Sequence, residues 1–136
     1  MNEDTTQLRN SIESENSIWA WFWAVALIVY CGWIFYLSSG PIEVKLPEIA
    51  FFDLVLHAGA YGIMGFIGWQ AFSRQYWVDK PLLWSWGYAT VYGFSDELHQ
   101  YFVPGRFSTI EDWIADSVGA ALMLTLIHLW LKRETH

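Results

Sequence analysis

Cysteine, basic residues and charge in general are scarce in this chain. Its 136 residues include one cysteine, Cys31, which excludes an intramolecular disulfide and a cysteine-rich metal site. Seven Lys and Arg residues stand against fourteen Asp and Glu residues, giving a net charge of −7. Nucleic acid is therefore excluded as a partner, because its phosphates need a basic surface. Charged residues make up 15% of the chain, against about 25% in soluble domains.

The motifs of several enzyme classes are also missing from the sequence. There is no Gly-x-Ser-x-Gly turn, no phosphate-binding loop, no dinucleotide fingerprint and no His-Glu-x-x-His pair. The chain has no internal repeat and no low-complexity tract. The sequence therefore assigns no cofactor and no metal site, and it does not decide whether the protein is an enzyme.

Apolar and aromatic residues, in contrast, are abundant. Hydrophobic residues make up 54% of the chain, which includes ten tryptophans, nine phenylalanines and seven tyrosines. Ile18 to Leu37 carries no charge over 20 residues, enough to cross a hydrocarbon layer of about 30 Å as a helix. This run is longer than the apolar part of a signal peptide and lacks a small-x-small cleavage site, so we interpret it as a retained span.

Proline, glycine and polar breaks divide the chain into four predicted transmembrane helices. Residues 1–17 form a polar, loosely ordered tail, residues 18–131 form one all-α membrane domain, and residues 132–136 form a short C-terminal tail. The third predicted helix has a charge-free stretch of only 15 residues, Pro81 to Ser95. It must therefore include the acidic residues that follow, or be re-entrant. The predicted spans are Ile18 to Leu37, Asp53 to Ser73, Pro81 to about Val103, and Asp112 to Leu131.

The distribution of positive charge predicts the orientation of these spans. Basic residues concentrate on the cytoplasmic side of membrane proteins. One predicted side of this chain holds Arg9, Arg74, Lys80, Lys132 and Arg133, and the other holds Lys45 and Arg106. Both termini are therefore expected in the cytoplasm, with the chain crossing the membrane four times. The lipid bilayer is a partner, and a homo-oligomer is possible for so small a bundle.

The remaining ionisable residues fall into one layer near the predicted outer face. Charges inside a membrane cost about 2.5–3.5 kcal/mol each at the centre, so a group of them marks a functional site by default. Helical spacing of four residues places Asp53, His57 and Tyr61 on one face. Spacings of three and four residues place Asp96 on one face with His99 and Gln100, and a spacing of four places Asp112 on one face with Asp116. We expect these faces to surround one polar pocket, with Arg106 as the counter-charge.

Structural roles are an alternative for each of these residues. Asp53 and Asp112 are suited to capping the N-termini of the second and fourth helices. His57 is suited to hydrogen-bonded packing, and Asp96, Glu97 and Arg106 to a charge cluster that only fixes the helices. Cys31 is interpreted as a packed thiol.

The residues of this layer resemble a known family. The stretch Ser95 to Arg106, followed by Asp112 and by Gly119-Ala120, is similar to the VanZ-like family of small bacterial multi-pass membrane proteins. The run Asp53 to His57, with Tyr61, resembles the family's earlier motif, and the resemblance covers about residues 27–131. This chain has Asp116 where the family usually has asparagine.

The resemblance implies a membrane protein whose name-giving relative is linked to low-level resistance to the glycopeptide teicoplanin, and it brings no established reaction. Three hypotheses follow: a protein that binds or modifies an envelope lipid or a glycopeptide at the outer leaflet; an intramembrane hydrolase or transferase whose histidine is a general base or metal ligand; and a purely structural protein. The candidate catalytic residues are His57, Asp96, Glu97 and His99. The candidate ligand-binding residues are Asp53, Tyr61, Ser95, Gln100, Arg106, Asp112 and Asp116.

Overall fold

The computed structural model describes residues 3–40 and 51–134, and its regular structure within them consists of four helices and no strand. They are α1 (Glu3–Ser38), α2 (Phe52–Phe72), α3 (Pro81–Tyr101) and α4 (Ile110–Glu134). The all-α fold is therefore confirmed. Most of the predicted connector between the first two spans, including Lys45, lies outside the described residues.

The helix bounds differ from the prediction mainly at the N-terminus. Helix α1 begins at Glu3, so residues 3–17 are helical where the sequence predicted a loosely ordered tail. The polar residues before Ile18 continue the same helix, because Glu, Gln, Arg and Leu in this segment all favour helix. Helix α3 is continuous from its first-turn proline to Tyr101 and includes Asp96, Glu97 and His99, as its short apolar stretch predicted.

The surface of the four-helix fold is rich in large apolar side chains. Trp21, Val55, Val91 and Leu126, one from each helix, are between 63% and 71% exposed. Two segments, Glu15–Ser38 of α1 and the whole of α4, are long and apolar enough to cross a membrane by length and composition. A soluble protein would have to hide such side chains in a core, whereas lipid tails cover them at no cost. These features indicate a membrane protein.

The core of the fold is small and lies between α2 and its neighbours. Helices α2 and α4 have the closest and most extensive contact, while α1 packs mainly on α2. Small residues make this possible: Gly62 faces the carbonyl of Gly119, and Gly65 faces Ala120. Small residues at this spacing on one face of a helix are typical of such close packing. Cys31 is a buried free thiol, 3.2 Å from the Tyr88 hydroxyl, as interpreted from the sequence.

Candidate functional site

Successive helices run in opposite directions, so four helix ends meet at one end of the fold. The C-terminal ends of α1 and α3 lie beside the N-terminal ends of α2 and α4. A direct contact joins the ends of α1 and α3, since Ser38 Oγ donates to Asp96 Oδ2 at 2.9 Å. The predicted polar layer therefore exists as one region of the molecule, and its side chains come from all four helices.

The centre of this region is a pair formed by His57 of α2 and Asp116 of α4. The Nδ1–H of His57 donates to Asp116 Oδ1 at 2.9 Å. Asp116 is fully buried, and the His57 side chain is 18% exposed. The carboxylate of Asp116 thus has a partner on the facing helix.

Glu97 of α3 joins the same region through the N-terminus of α4. Thr109 precedes the first residue of α4, and its hydroxyl accepts the Asp112 N–H at 3.1 Å, as an N-cap does. The Thr109 N–H donates to Glu97 Oε2 at 3.0 Å. Glu97 therefore lies at the positive end of the helix dipole, which stabilises a carboxylate there.

Several oxygen atoms in this region are buried without a partner. Within the described residues, the buried side-chain atoms that have no hydrogen-bond partner are Tyr61 Oη, Asp96 Oδ1, Glu97 Oε1 and Asp116 Oδ2. Such groups are rare in folded proteins because each costs about 1–3 kcal/mol. All four belong to the predicted site residues. Their concentration in one place is typical of a site that a ligand or ion completes.

Glycine allows these groups to come together. A methyl group added at Gly93 of α3 would lie 2.9 Å from Asp116 Oδ2 and 3.1 Å from Tyr61 Cε1. The first distance is shorter than real Cβ contacts and the second is tighter than most of them, so glycine lets α3 pass this close without displacing Asp116. No sequence pattern singles out Gly93, because its position relative to α2 and α4 depends on how the helices pack.

A cavity of about 140 Å³ opens beside the pair. It has a polar side and an apolar side. The apolar side is formed by Ile34, Leu37, Leu56 and Ala60, and the polar side by Ser38, Asp53, His57, Tyr61, Asp96, Gln100 and Arg106. Six of the eleven predicted site residues therefore line one cavity. Glu97 and Asp116 lie behind it, each with a carboxylate oxygen close to a His57 ring nitrogen, all three atoms lying within 4.8 Å of one another.

Arg106 lines the cavity in a different way from the one expected. Its guanidinium donates to the backbone carbonyls of Leu37 and Gly40, at 2.8 Å in the case of Gly40. Arg106 therefore closes the C-terminal end of α1, where carbonyls lack partners within the helix. The ion pairs within residues 3–40 and 51–134 do not include Arg106, so it is not the carboxylate counter-charge that the sequence suggested.

Three predicted residues contact partners other than the His57–Asp116 pair. Ser95 is exposed, and its hydroxyl donates to the Tyr92 carbonyl of its own helix. His99 stacks on Phe35 with the ring centroids 4.4 Å apart, and its Nε2 is 3.1 Å from Ser39 Oγ. Asp112 accepts the Thr109 hydroxyl at 2.7 Å.

Both predicted N-caps are corrected by the structure. Phe51 occupies the cap position of α2 and makes no side-chain bond, and Asp53 lies in the first helical turn instead. Thr109 caps α4, and Asp112 lies three residues later. Asp53 and Asp112 still belong to the site, since a carboxylate oxygen of each lies within 4.8 Å of a His57 ring nitrogen.

Sequence reasoning missed Ser38 and Thr109. Ser38 is buried, and its single hydroxyl proton is shared between Asp96 Oδ2 and the Ile34 carbonyl oxygen, each 2.9 Å from Oγ. The signal for Thr109 was present in the sequence as a threonine followed by an acidic residue three positions later, a common start of a helix.

Comparisons with known proteins identify the family of the chain. No curated protein and no solved structure matches the chain. The sequence profile described as VanZ/LLP1 matches residues 5–131, nearly the whole chain. This match extends beyond the motif of α3 and includes the polar N-terminal part of α1. The chain therefore belongs to the VanZ/LLP1 family.

Proposed function

We propose that this protein crosses the plasma membrane of a bacterium four times and binds the headgroup of an envelope lipid in the cavity beside His57. Helices α2 and α3 have 21 residues each, or about 31 Å at 1.5 Å per residue, which matches a hydrocarbon layer. Their exposed surfaces carry large apolar side chains like those of α1 and α4.

The proposed orientation places the polar region at the outer leaflet. Arg74, Lys80, Lys132 and Arg133 all lie at the opposite end of the fold, in the α2–α3 loop and at the end of α4. Basic residues near span ends favour the cytoplasm. We expect a C-terminal tag to be cut by added protease in inverted membrane vesicles and protected in intact spheroplasts. Cleavage in the spheroplasts would contradict this orientation.

One observation carries the binding proposal: Asp96 Oδ1 is buried beside the cavity and accepts no hydrogen bond. A carboxylate oxygen in that position needs a donor, and Asp53 supplies a second carboxylate at the same cavity. An amine or hydroxyl group provides such donors. The apolar side of the cavity suits the glycerol and first acyl carbons next to a lipid headgroup, so the ligand class is a lipid whose headgroup carries amino or hydroxyl donors.

The size of the cavity favours a headgroup over an intact glycopeptide antibiotic. Pockets that enclose drug-sized ligands measure about 300–1,000 Å³, whereas this one measures about 140 Å³. Any effect on resistance to a glycopeptide would then arise through the envelope lipid that the protein binds.

The experiment is native mass spectrometry of the purified protein with phosphatidylethanolamine as the probe. Asp53 is exposed at the cavity, so Asp53→Asn changes the site without disturbing the packing. We expect it to weaken binding about tenfold, the value of one charge-assisted hydrogen bond.

The matched control is Asp79→Asn, an equally exposed aspartate in the α2–α3 loop at the other end of the fold. It should bind the lipid as the wild type does. Equal weakening by both substitutions would show only a general effect of charge. Unchanged binding in Asp53→Asn would contradict the proposed site.

A hydrolase or transferase acting on the same headgroup is a second candidate, favoured by the orientation of His57. Its Nδ1–H is held by Asp116, and the ring lines the cavity. A carboxylate that holds one ring nitrogen leaves the other free to accept a proton from water or from a headgroup hydroxyl. Release of a water-soluble headgroup from phosphatidylethanolamine vesicles by the wild type, lost in His57→Gln, would favour this function over simple binding.

A further inference from the structure

We propose that His57, Glu97 and Asp116 form a binding site for one divalent transition-metal cation, such as Mn²⁺ or Zn²⁺. This inference goes beyond lipid binding and does not depend on it. One residue comes from each of α2, α3 and α4. A ring nitrogen of His57 and one carboxylate oxygen from each of Glu97 and Asp116 lie within 4.8 Å of one another. Donor atoms this close together are able to contact one ion.

The unpartnered oxygens are the independent evidence for a ligand between these residues. Asp116 is fully buried and Glu97 is 5% exposed, yet Asp116 Oδ2 and Glu97 Oε1 accept no hydrogen bond from any described residue. In each carboxylate the other oxygen is already fixed. Asp116 Oδ1 accepts from His57, and Glu97 Oε2 accepts from the Thr109 backbone. Each side chain is thus held in place with one oxygen left over.

The charge balance of the region also calls for a cation. Asp53, Asp96 and Asp112 surround the three proposed ligands. Arg106, the arginine that lines the cavity, donates its hydrogen bonds to backbone carbonyls. Carboxylates buried together repel one another unless a cation or a proton neutralises them. A divalent ion between Glu97 and Asp116 provides that charge.

The donor set selects the class of metal. One imidazole nitrogen with two carboxylate oxygens suits Mn²⁺, Fe²⁺ or Zn²⁺, whereas Mg²⁺ prefers oxygen ligands and keeps several waters. Tyr61 is buried next to Asp116 at Gly93, and its hydroxyl is also without a partner.

Asp116 is the proposed ligand that a single substitution tests most directly. Asparagine at this position supplies an uncharged amide oxygen in place of a carboxylate. Asp116→Asn preserves the shape of the side chain and an acceptor for the His57 N–H, so we expect it to fold. It should nevertheless lose most of the affinity for the metal.

The test is metal titration of the full chain, purified in detergent and stripped with a chelator. Binding of Mn²⁺ is followed by the loss of the free-ion electron paramagnetic resonance signal, and Zn²⁺ by elemental analysis after gel filtration. We expect one ion per chain in the wild type. We expect at least about a tenfold loss of affinity in Asp116→Asn and in Glu97→Gln, the size of effect typical of residues that hold a metal site.

Two control variants make the result specific. Asp79→Asn lies at the far end of the fold and should bind metal like the wild type. Asp53→Asn tests the neighbouring group of Asp53, His57 and Asp112, whose donor atoms also lie within 4.8 Å of one another. The proposal is overturned if Asp53→Asn abolishes binding while Asp116→Asn does not, or if the wild type binds neither metal at millimolar concentration. If Asp116→Asn does not elute as a folded protein, the metal affinity of Glu97→Gln tests the proposal instead.

Discussion

Replacing Gly119 by alanine is expected to separate α2 from α4. The two helices approach so closely at this point that a methyl group on Gly119 would overlap the carbonyl oxygen and Cα of Ala58. Backbone atoms have no alternative rotamer, so the helices themselves must move apart. Overpacking a core costs about 1–3 kcal/mol and occasionally more. We expect the upper end of this range, because α2 and α4 have the most extensive contact in the fold.

The measurement is thermal unfolding in detergent, followed by circular dichroism, together with the elution profile before heating. Gly59→Ala is the matched control, since it is a glycine-to-alanine change on α2 beside Ala58, with no atom within 4 Å of the added methyl group. It should unfold at or slightly above the wild-type temperature, because alanine favours helix over glycine. If Gly119→Ala were as stable as the wild type, α2 and α4 would not pack as described.

The contact between α2 and α4 shows which parts of the fold can be predicted from the sequence. Ala58, Gly62 and Gly65 already indicate a helix face made for close packing, and Gly119-Ala120 is the corresponding small pair on the last helix. The sequence does not say that these two faces meet each other. The pairing of helices depends on the rotation and depth of each one, which the whole set of contacts determines together.

The same distinction holds for the polar region. Spacing along each helix correctly places His57 and Tyr61 on one face and brings Asp96 together with Gln100, whose Nε2 is 3.1 Å from Asp96 Oδ2. The alternation of helix direction then predicts that these faces share one end of the fold. Which residues become direct partners was not predictable. Asp116 meets His57 because α2 and α4 are in backbone contact, a distance that no spacing rule supplies.

Loop residues escaped prediction for a related reason. The part of the α3–α4 connection that holds Arg106 returns toward the end of α1, so its guanidinium meets carbonyls there instead of the carboxylates nearby in sequence. His99 shares a helical face with Asp96, yet its longer ring reaches Phe35 and Ser39 of α1. The polar N-terminal part of α1 was not predicted to be helical, because its polar composition was interpreted as disorder. The individual residues nevertheless favour helix.

Removing His57 is expected to destabilise the fold strongly, because it leaves the carboxylate of Asp116 buried without its partner. Breaking a buried ion pair from one side costs about 3–5 kcal/mol. Leucine fills a volume similar to that of histidine, so His57→Leu isolates the loss of the partner from the creation of a cavity. We therefore expect a thermal unfolding temperature well below that of the wild type in the same detergent.

A second substitution separates the charge effect from the loss of packing. In His57→Leu with Asp116→Asn, the unpartnered group is a neutral amide, whose burial costs about 1–3 kcal/mol. The double variant should therefore be more stable than His57→Leu alone, although it carries one more substitution. Asp116→Asn alone should stay close to the wild type, since its amide oxygen still accepts the His57 N–H. If the double variant unfolded at a lower temperature than His57→Leu, the buried charge would not be the cause, and Asp116 would already be neutral in the wild-type protein.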